Sequence, residues 1–324
     1  MKIKAYLKSL VAVSLCLATH VALAQDYPSK PIRWISAWTP GGANDILSRE
    51  LAQDISAQLG QPVVVENRPG ASGTIGTANV ASAAPDGYTI TLGSLPSYST
   101  APSMFPNLPY DPLTDLAPIA LVAAIPNVLV VNPSLPVNNV EELIAYMKAN
   151  PNKLSYSSVG IGSSSHLGGE LFNLMAGVEM VHIPYKGTSP AMIDLVGGRI
   201  DLAFENMPAL LPMIRSGQLK ALAVTSKTRS ALLPDVPTVD ESGLKGFEVG
   251  AWYAAFAPGG TPSEIIDKLN AAINTSLGKP ELHRRLQDLG TELTGGTPAE
   301  AAEFLKNDLE KWSNVIKQAN ITLD

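Results

Sequence analysis

Cysteine is almost absent from this chain: among 324 residues only Cys16 carries a thiol. One thiol cannot make an internal disulfide, and it rules out the multi-cysteine zinc sites. Histidine is nearly as scarce, with four residues. Three of these, His166, His182 and His283, lie beyond residue 24, and none has the spacing of a metal-ligand pair. Positive charge is in deficit, with 23 Lys and Arg against 29 Asp and Glu, which argues against a nucleic-acid partner. No apolar run approaches the roughly 20 residues that span a bilayer. Enzyme motifs are missing as well: there is no Gly-x-Ser-x-Gly elbow and no GxxxxGK[ST] loop. Gly160 and Gly162 open a helix in the manner of a dinucleotide fingerprint, but Ser165 stands where the third glycine belongs. Ser164 and His166 are two apart on one helix, so they do not face each other as a nucleophile and its base.

The amino terminus is present for another purpose. Lys2, Lys4 and Lys8 form a basic start, 10–18 a short apolar core, and Ala22-Leu23-Ala24 the small-x-small site of signal peptidase. Residues 1–24 therefore read as a signal peptide cleaved after Ala24, with Cys16 inside it, and the mature chain as exported. Removing its three lysines from the 23 basic residues leaves 20 against 29 acids, a net charge of −9. An anion bound by such a chain must be held by local dipoles and hydrogen bonds against the overall field.

From residue 32 onward strand, glycine-rich turn and helix alternate, the pattern of a parallel sheet covered by helices. Strand 32–38 leads through Thr39-Pro40-Gly41-Gly42 into a helix with Leu47, Leu51, Ile55 and Leu59 on one face. Strand 62–66, a turn at 67–73, a small-residue helix and strand 88–92 follow. Residues 94–118, rich in Pro, Ser and Asn, read as an excursion without regular structure. Two strands, 119–124 and 128–131, are separated by Pro126. A second set of units occupies 140–225, then a turn-rich stretch at 229–246 and a returning strand at 247–257. Helices at 262–277, 280–289 and 298–319 are expected to pack back on the first half. The length exceeds one ordinary core. The division expected is lobe 1 from 25–125 and 247–324, and lobe 2 from 126–246.

Four turns share a design that suits an anion. Gly41, Gly42, Ala43 and Asn44 precede one helix, Ser72 and Gly73 a second, Ser163, Ser164 and His166 a third, Tyr185, Gly187 and Thr188 a fourth. Each places glycine and short polar side chains where free N–H groups and the positive end of the helix dipole emerge. In an open α/β sheet these turns lie at the carboxyl ends of strands, where ligands bind. Trp38 and Ser94 end strands in the first half, and Glu205 and Asn206 end one in the second. The bland alternative for each turn is ordinary N-capping. Asp45 reads as a structural partner of the dipole, His182 as packing, and Arg68 as one end of a loop salt bridge.

In these residues the chain resembles the Bug-type receptors of tripartite tricarboxylate transporters. The likeness runs through Tyr27-Pro28-x-Lys30-Pro31-Ile32, Pro40-Gly41-Gly42 with Asp45, and 65–73 (VENRPGASG). It continues through Ala84-Pro85-Asp86-Gly87-Tyr88-Thr89, Tyr110-Asp111-Pro112, Gly162-Ser163 with His166-Leu167, Ile183-Pro184-Tyr185-Lys186-Gly187, and 220–225 running on to 234–238. The resemblance implies a type II periplasmic binding fold, two α/β lobes joined by two crossing strands, with no catalysis, cofactor or metal. It implies a small carboxylate ligand held by Gly42, Ala43, Ser72, Gly73, Ser163, His166 and Thr188, and a monomer that delivers to two membrane subunits of a secondary transporter. Trp38 and Glu205 depart from the family's usual Phe and Asp, and a wider aromatic floor would suit a flat ligand. A ligand-sensing co-receptor for a sensor kinase, or a hydrolase, are the alternatives left open.

Overall fold

The computed structural model describes residues 27–322 except 42, 186, 187, 288, 289 and 320. The signal-peptide reading of 1–24 and the site residues Gly42 and Gly187 lie outside the described residues.

In the first half, β1 (Ile32–Ser36), β2 (Val63–Asn67) and β3 (Thr89–Ser94) run parallel, with β1 between the other two. Helix α1 (Ala43–Leu59) connects β1 to β2 and α2 (Thr74–Ala81) connects β2 to β3. Leu47, Leu51 and Ile55 bury the inner stripe of α1 in the cluster around Ile32, Trp34 and Ile90, as their four-residue spacing predicts. Residues 94–118 are more ordered than their composition suggests. A π-type turn (Pro96–Thr100) runs into the short helix α3 (Ala101–Met104), and the next strand starts at Leu116. Proline within the first two positions of each turn costs no hydrogen bond, because those N–H groups are unpaired anyway.

The two strands expected on either side of Pro126 are one, β4 (Leu116–Val131). Up to Pro126 it pairs antiparallel with β9 (Gly250–Pro258); from Asn127 it pairs with β7 (Leu202–Asn206) and β8 (Lys220–Val224). Pro126 sits where β4 leaves one sheet for the other, a place that tolerates a residue with no N–H to give. Gly250 lies opposite, and a Cβ there would meet the Ile125 carbonyl oxygen at 2.9 Å. The second sheet continues through β7 to the parallel β5 (Ser155–Ser158) and β6 (Val181–Pro184). Its helices are α4 (Val140–Ala149), α5 (Ser164–Ala176), α6 (Thr188–Val196) and α7 (Met207–Arg215).

The return passage is made at Val249, whose N–H bonds the Thr225 carbonyl just before β9 begins. Helices α8 (Ser263–Leu277) and α9 (Pro280–Gln287) are tied to α1 by Gln58–Ser276 at 2.8 Å, Lys279–Asp54 at 2.8 Å and Arg285–Glu50 at 2.6 Å. Between α9 and the last helix, β10 (Glu292–Leu293) pairs with β4. Helix α10 (Pro298–Gln318), started by a Thr297–Glu300 capping box, buries Leu305 and Trp312 in a core that runs on to Tyr156, Phe172 and Phe204 of the other half. That shared core joins the two halves of the chain.

Candidate functional site

The turn before α2 is the most unusual backbone in the molecule. Gly70, Ala71, Ser72 and Gly73 all have positive φ, at 138°, 45°, 53° and 87°. Two of these are not glycine, and strain of that kind persists where a ligand or switch uses it. Gly73 is the N-cap of α2, and no side chain caps that helix end. The Gly73 N–H donates to the Gly70 carbonyl at 3.0 Å and the Thr74 N–H to the Ala71 carbonyl, so an anion here would draw on the remaining N–H groups of the helix start. A Cβ on Gly73 would lie 3.3 Å from the Ser97 Oγ and 3.4 Å from Cζ2 of Trp38, so the three converge on one corner. The Trp38 indole N–H donates to the Ser94 Oγ at 3.2 Å. Ser97 is fully buried and its hydroxyl has no partner. An orphan hydroxyl at that depth costs about 1–3 kcal/mol, which a ligand oxygen recovers. Ser97 is absent from the residues expected at the site; its only signal in the sequence is a serine just after a strand end.

The other three turns consume much of their own hydrogen-bonding capacity. At the start of α1 the Gly41 N–H donates to Asp45 Oδ2 at 3.0 Å, so it is not free for a ligand. Burial pushes the Asp45 carboxyl up, but Arg49, the Gly41 N–H and Asn67 outweigh it and hold it below the ordinary aspartate range. Asn44, expected at the ligand, turns inward: its amide donates to the Leu92 carbonyl at 2.8 Å and its oxygen accepts from Ser36 at 2.9 Å. Arg68 lies 3.5 Å from Glu66.

In the turn before α5, Ser163 caps the helix by accepting the His166 N–H at 3.3 Å and donates to the Gly160 carbonyl at 2.5 Å. Ser164 donates to Asn127 Oδ1 at 3.3 Å, tying the turn to β4 at the point of crossing. His166 does not present a free imidazole to the cleft. Its Nδ1 accepts the Gly162 N–H at 3.2 Å, and its ring lies 4.2 Å from that of His182. Burial, and secondarily His182, push His166 down to about 3; burial alone pushes His182 down to about 4. Both rings are neutral at neutral pH, so neither supplies a cation for an anion. His182 in turn hydrogen-bonds Ser158 at 2.6 Å. Tyr185 is likewise engaged, its hydroxyl donating to Asp194 at 2.8 Å on the flank of α6.

Between the halves lies a cavity of about 290 Å³. Gly41, Ala43, Ile46 and Ile125 line it from the first half, and Thr188, Asn206, Pro208 and Ala209 from the second. Among the described residues none that lines it is charged. Glu205 lies behind the wall rather than in it: it is 2% exposed and accepts its neighbour's Asn206 N–H at 2.8 Å. Burial raises its carboxyl to about 7, against the pull of that N–H and of the Thr188 hydroxyl. Among the described residues no group of three or more His, Cys, Asp or Glu is placed to hold a metal, and no helix is long and apolar enough to cross a membrane.

Two α/β lobes, two crossing strands and a cleft between strand ends define a periplasmic binding protein. The chain belongs to the family described as "Tripartite tricarboxylate transporter family receptor", whose profile matches residues 47–321. The curated protein BugT of Bordetella pertussis is 41% identical over 305 residues, 93% of this chain and 92% of its own. Two solved structures show what such proteins hold. R. palustris Rpa4515 with adipate is similar at 37% identity and a TM-score of 0.82, over 91% of this chain and 99% of its own. MatC from Rhodopseudomonas palustris with bound malate is similar at 34% identity and a TM-score of 0.79, over 90% of this chain and 100% of its own. The family is one of solute-binding receptors of the periplasm, working with tripartite transporters.

Proposed function

We propose that this chain captures a small dicarboxylate in the periplasm, without changing it, and delivers it to two membrane subunits of a tripartite transporter. The observation that carries the reading is the open turn at 70–73, uncapped and strained, with the orphan hydroxyl of Ser97 beside it. Neutral donors of this kind hold a carboxylate without a basic side chain. Trp38 walls the same corner with an aromatic edge. The similar proteins solved with adipate and with malate carry open-chain dicarboxylates. On this reading the mature protein begins after Ala24 and acts as a monomer. The lobes are 25–125 with 247–324, and 126–246, and they close on the ligand about Pro126 and Gly250. The ligand favours the closed form only through interactions that the open form does not offer it.

A thermal-shift screen of the purified mature protein tests the proposal. The panel is adipate, malate, citrate, acidic amino acids, nicotinate and benzene dicarboxylates, each hit recovered and checked by mass spectrometry. A ligand at 100 times its Kd adds about 2.7 kcal/mol to stability, a clear rise in midpoint. An intact dicarboxylate hit supports the receptor reading. No shift anywhere in the panel, or a hit recovered chemically altered, overturns it.

A further inference from the structure

Among the described residues, one ionisable group behind the cavity wall is not explained by carboxylate capture alone. Glu205 ends β7 directly behind the cavity wall, and both groups that hydrogen-bond its carboxyl, Thr188 and the Asn206 backbone, belong to residues that line the cavity. It has no cationic partner: no salt bridge reaches it among the described residues. Its neighbours across the packing are neutral. Val128 pairs with it from β4, Thr188 approaches from α6, and Tyr253 from β9 is the other titratable group acting with it. The Tyr253 phenol is itself raised by burial and then by Glu205, so it stays protonated. The charge state of Glu205 therefore sets the field felt by anything in a cavity whose described lining has no charge of its own.

We propose that Glu205 makes this receptor select ligands by charge: the site accepts a dianionic acid with Glu205 protonated, so that capturing the anion takes up one proton. The inference rests on the carboxylate reading above. The carboxylate of Glu205 gains a proton from solvent as the ligand enters, no other bond changes, and the anion is spared a like charge buried close by. Two unit charges several ångströms apart at an effective dielectric near 20 repel by enough to change a binding constant roughly 10- to 50-fold. Raised above the ordinary glutamate value, the group is protonated in the folded protein at pH 6.5 and ionised at pH 9.

The test is calorimetric titration of the mature protein and of its Glu205→Gln variant with adipate and with malate, from pH 6.5 to pH 9. Each titration is run in two buffers of different ionisation enthalpy. Wild type is expected to lose roughly 10- to 50-fold in affinity across the window and to take up protons on binding above pH 7. Gln, a neutral hydrogen-bonding isostere, should hold the low-pH affinity throughout and take up none. Thermal unfolding without ligand gives an independent readout. The buried histidines impose a rising slope on both proteins over this range, so the readout is the difference between them. Wild-type stability relative to Glu205→Gln should fall as pH rises from 4.5 through about 7, because the unfolded chain has then released a proton that the folded Glu205 keeps. Wild-type affinity that is flat or rising with pH, or a variant that keeps the wild-type slope, overturns the inference and leaves the carboxylate reading intact. Failure of both diacids to bind either protein at any pH removes the carboxylate reading and this inference together.

Discussion

The turns before α2 and α5 are alike in composition and opposite in chemistry. Both are glycine-and-serine turns that follow a strand and open a helix. In 70–73 four successive residues have positive φ, the helix end has no side-chain cap, and a buried serine hydroxyl beside it lacks a partner. In 160–166 the capping serine, the second serine and the histidine all hydrogen-bond within the turn or to Asn127 of β4. The first turn bonds part of its own backbone, Gly73 to Gly70 and Thr74 to Ala71, but leaves an unpaired hydroxyl beside it; the second uses its polar side chains itself. The first therefore reads as the primary anion contact, and the second as a preformed surface that closes over it. The π-type turn that carries Ser97 already reaches the second, since the Thr100 hydroxyl lies 3.5 Å from the Gly162 carbonyl.

The largest expected contrast is in response to acid. His166 and His182, behind the finished turn, are held neutral well below the ordinary histidine value. Between pH 6.5 and about 4 the unfolded chain binds protons that the folded one refuses, so stability falls on acidification. A loss on the order of several kcal/mol is expected over that interval, read as a falling urea midpoint. His182→Gln should remove a large part of the slope; an unchanged slope would place the acid sensitivity elsewhere.

Substitution at the open turn comes next. Gly73→Val puts a branched side chain into a left-handed position and into the corner shared with Ser97 and Trp38. It should lower ligand affinity by about 100-fold or more, with about 1–2 kcal/mol lost from stability. Gly160→Val is the matched control: φ is also positive, but a Cβ there meets nothing within 4 Å. It should cost similar stability and little affinity, and calorimetry beside thermal unfolding separates the two. Equal affinity losses would contradict the assignment of roles.

Smaller effects sharpen the same contrast. Ser97→Ala removes a buried hydroxyl with no partner, so stability should hold or rise slightly, while affinity drops by about 5- to 10-fold for one lost hydrogen bond. Ser163→Ala removes a helix cap and should do the reverse, costing about 1 kcal/mol of stability with affinity nearly unchanged.

Much of the fold was legible because apolar period and turn chemistry agree along most of the chain. The four-residue spacing of Leu47, Leu51 and Ile55 identified α1, and Gly60 marked its end. Pro126 misled, because a proline within an apolar run reads as a strand break; only the partner strands show that β4 changes sheets there. In the sequence the candidate site reads as four similar turns; the hydrogen bonds show four different ones. Whether a short polar side chain faces a ligand or its own backbone depends on χ angles and neighbours distant in sequence. Asn44 is directed inward by Ser36 and Leu92, Tyr185 outward by Asp194, and His166 backward by His182. Ser97 was hidden for the same reason: its significance comes from Gly73 and Trp38, which approach it only in three dimensions.

The most direct measurement is a crystal structure of the mature protein with the tightest dicarboxylate from the thermal-shift panel. The account predicts one ligand carboxylate at the 70–74 turn, on the N–H groups there that the turn does not itself use and on the Ser97 hydroxyl, with the 160–166 turn closing over it and its internal hydrogen bonds kept. A carboxylate held by 160–166 with those bonds broken, and an empty 70–74 turn, would contradict it.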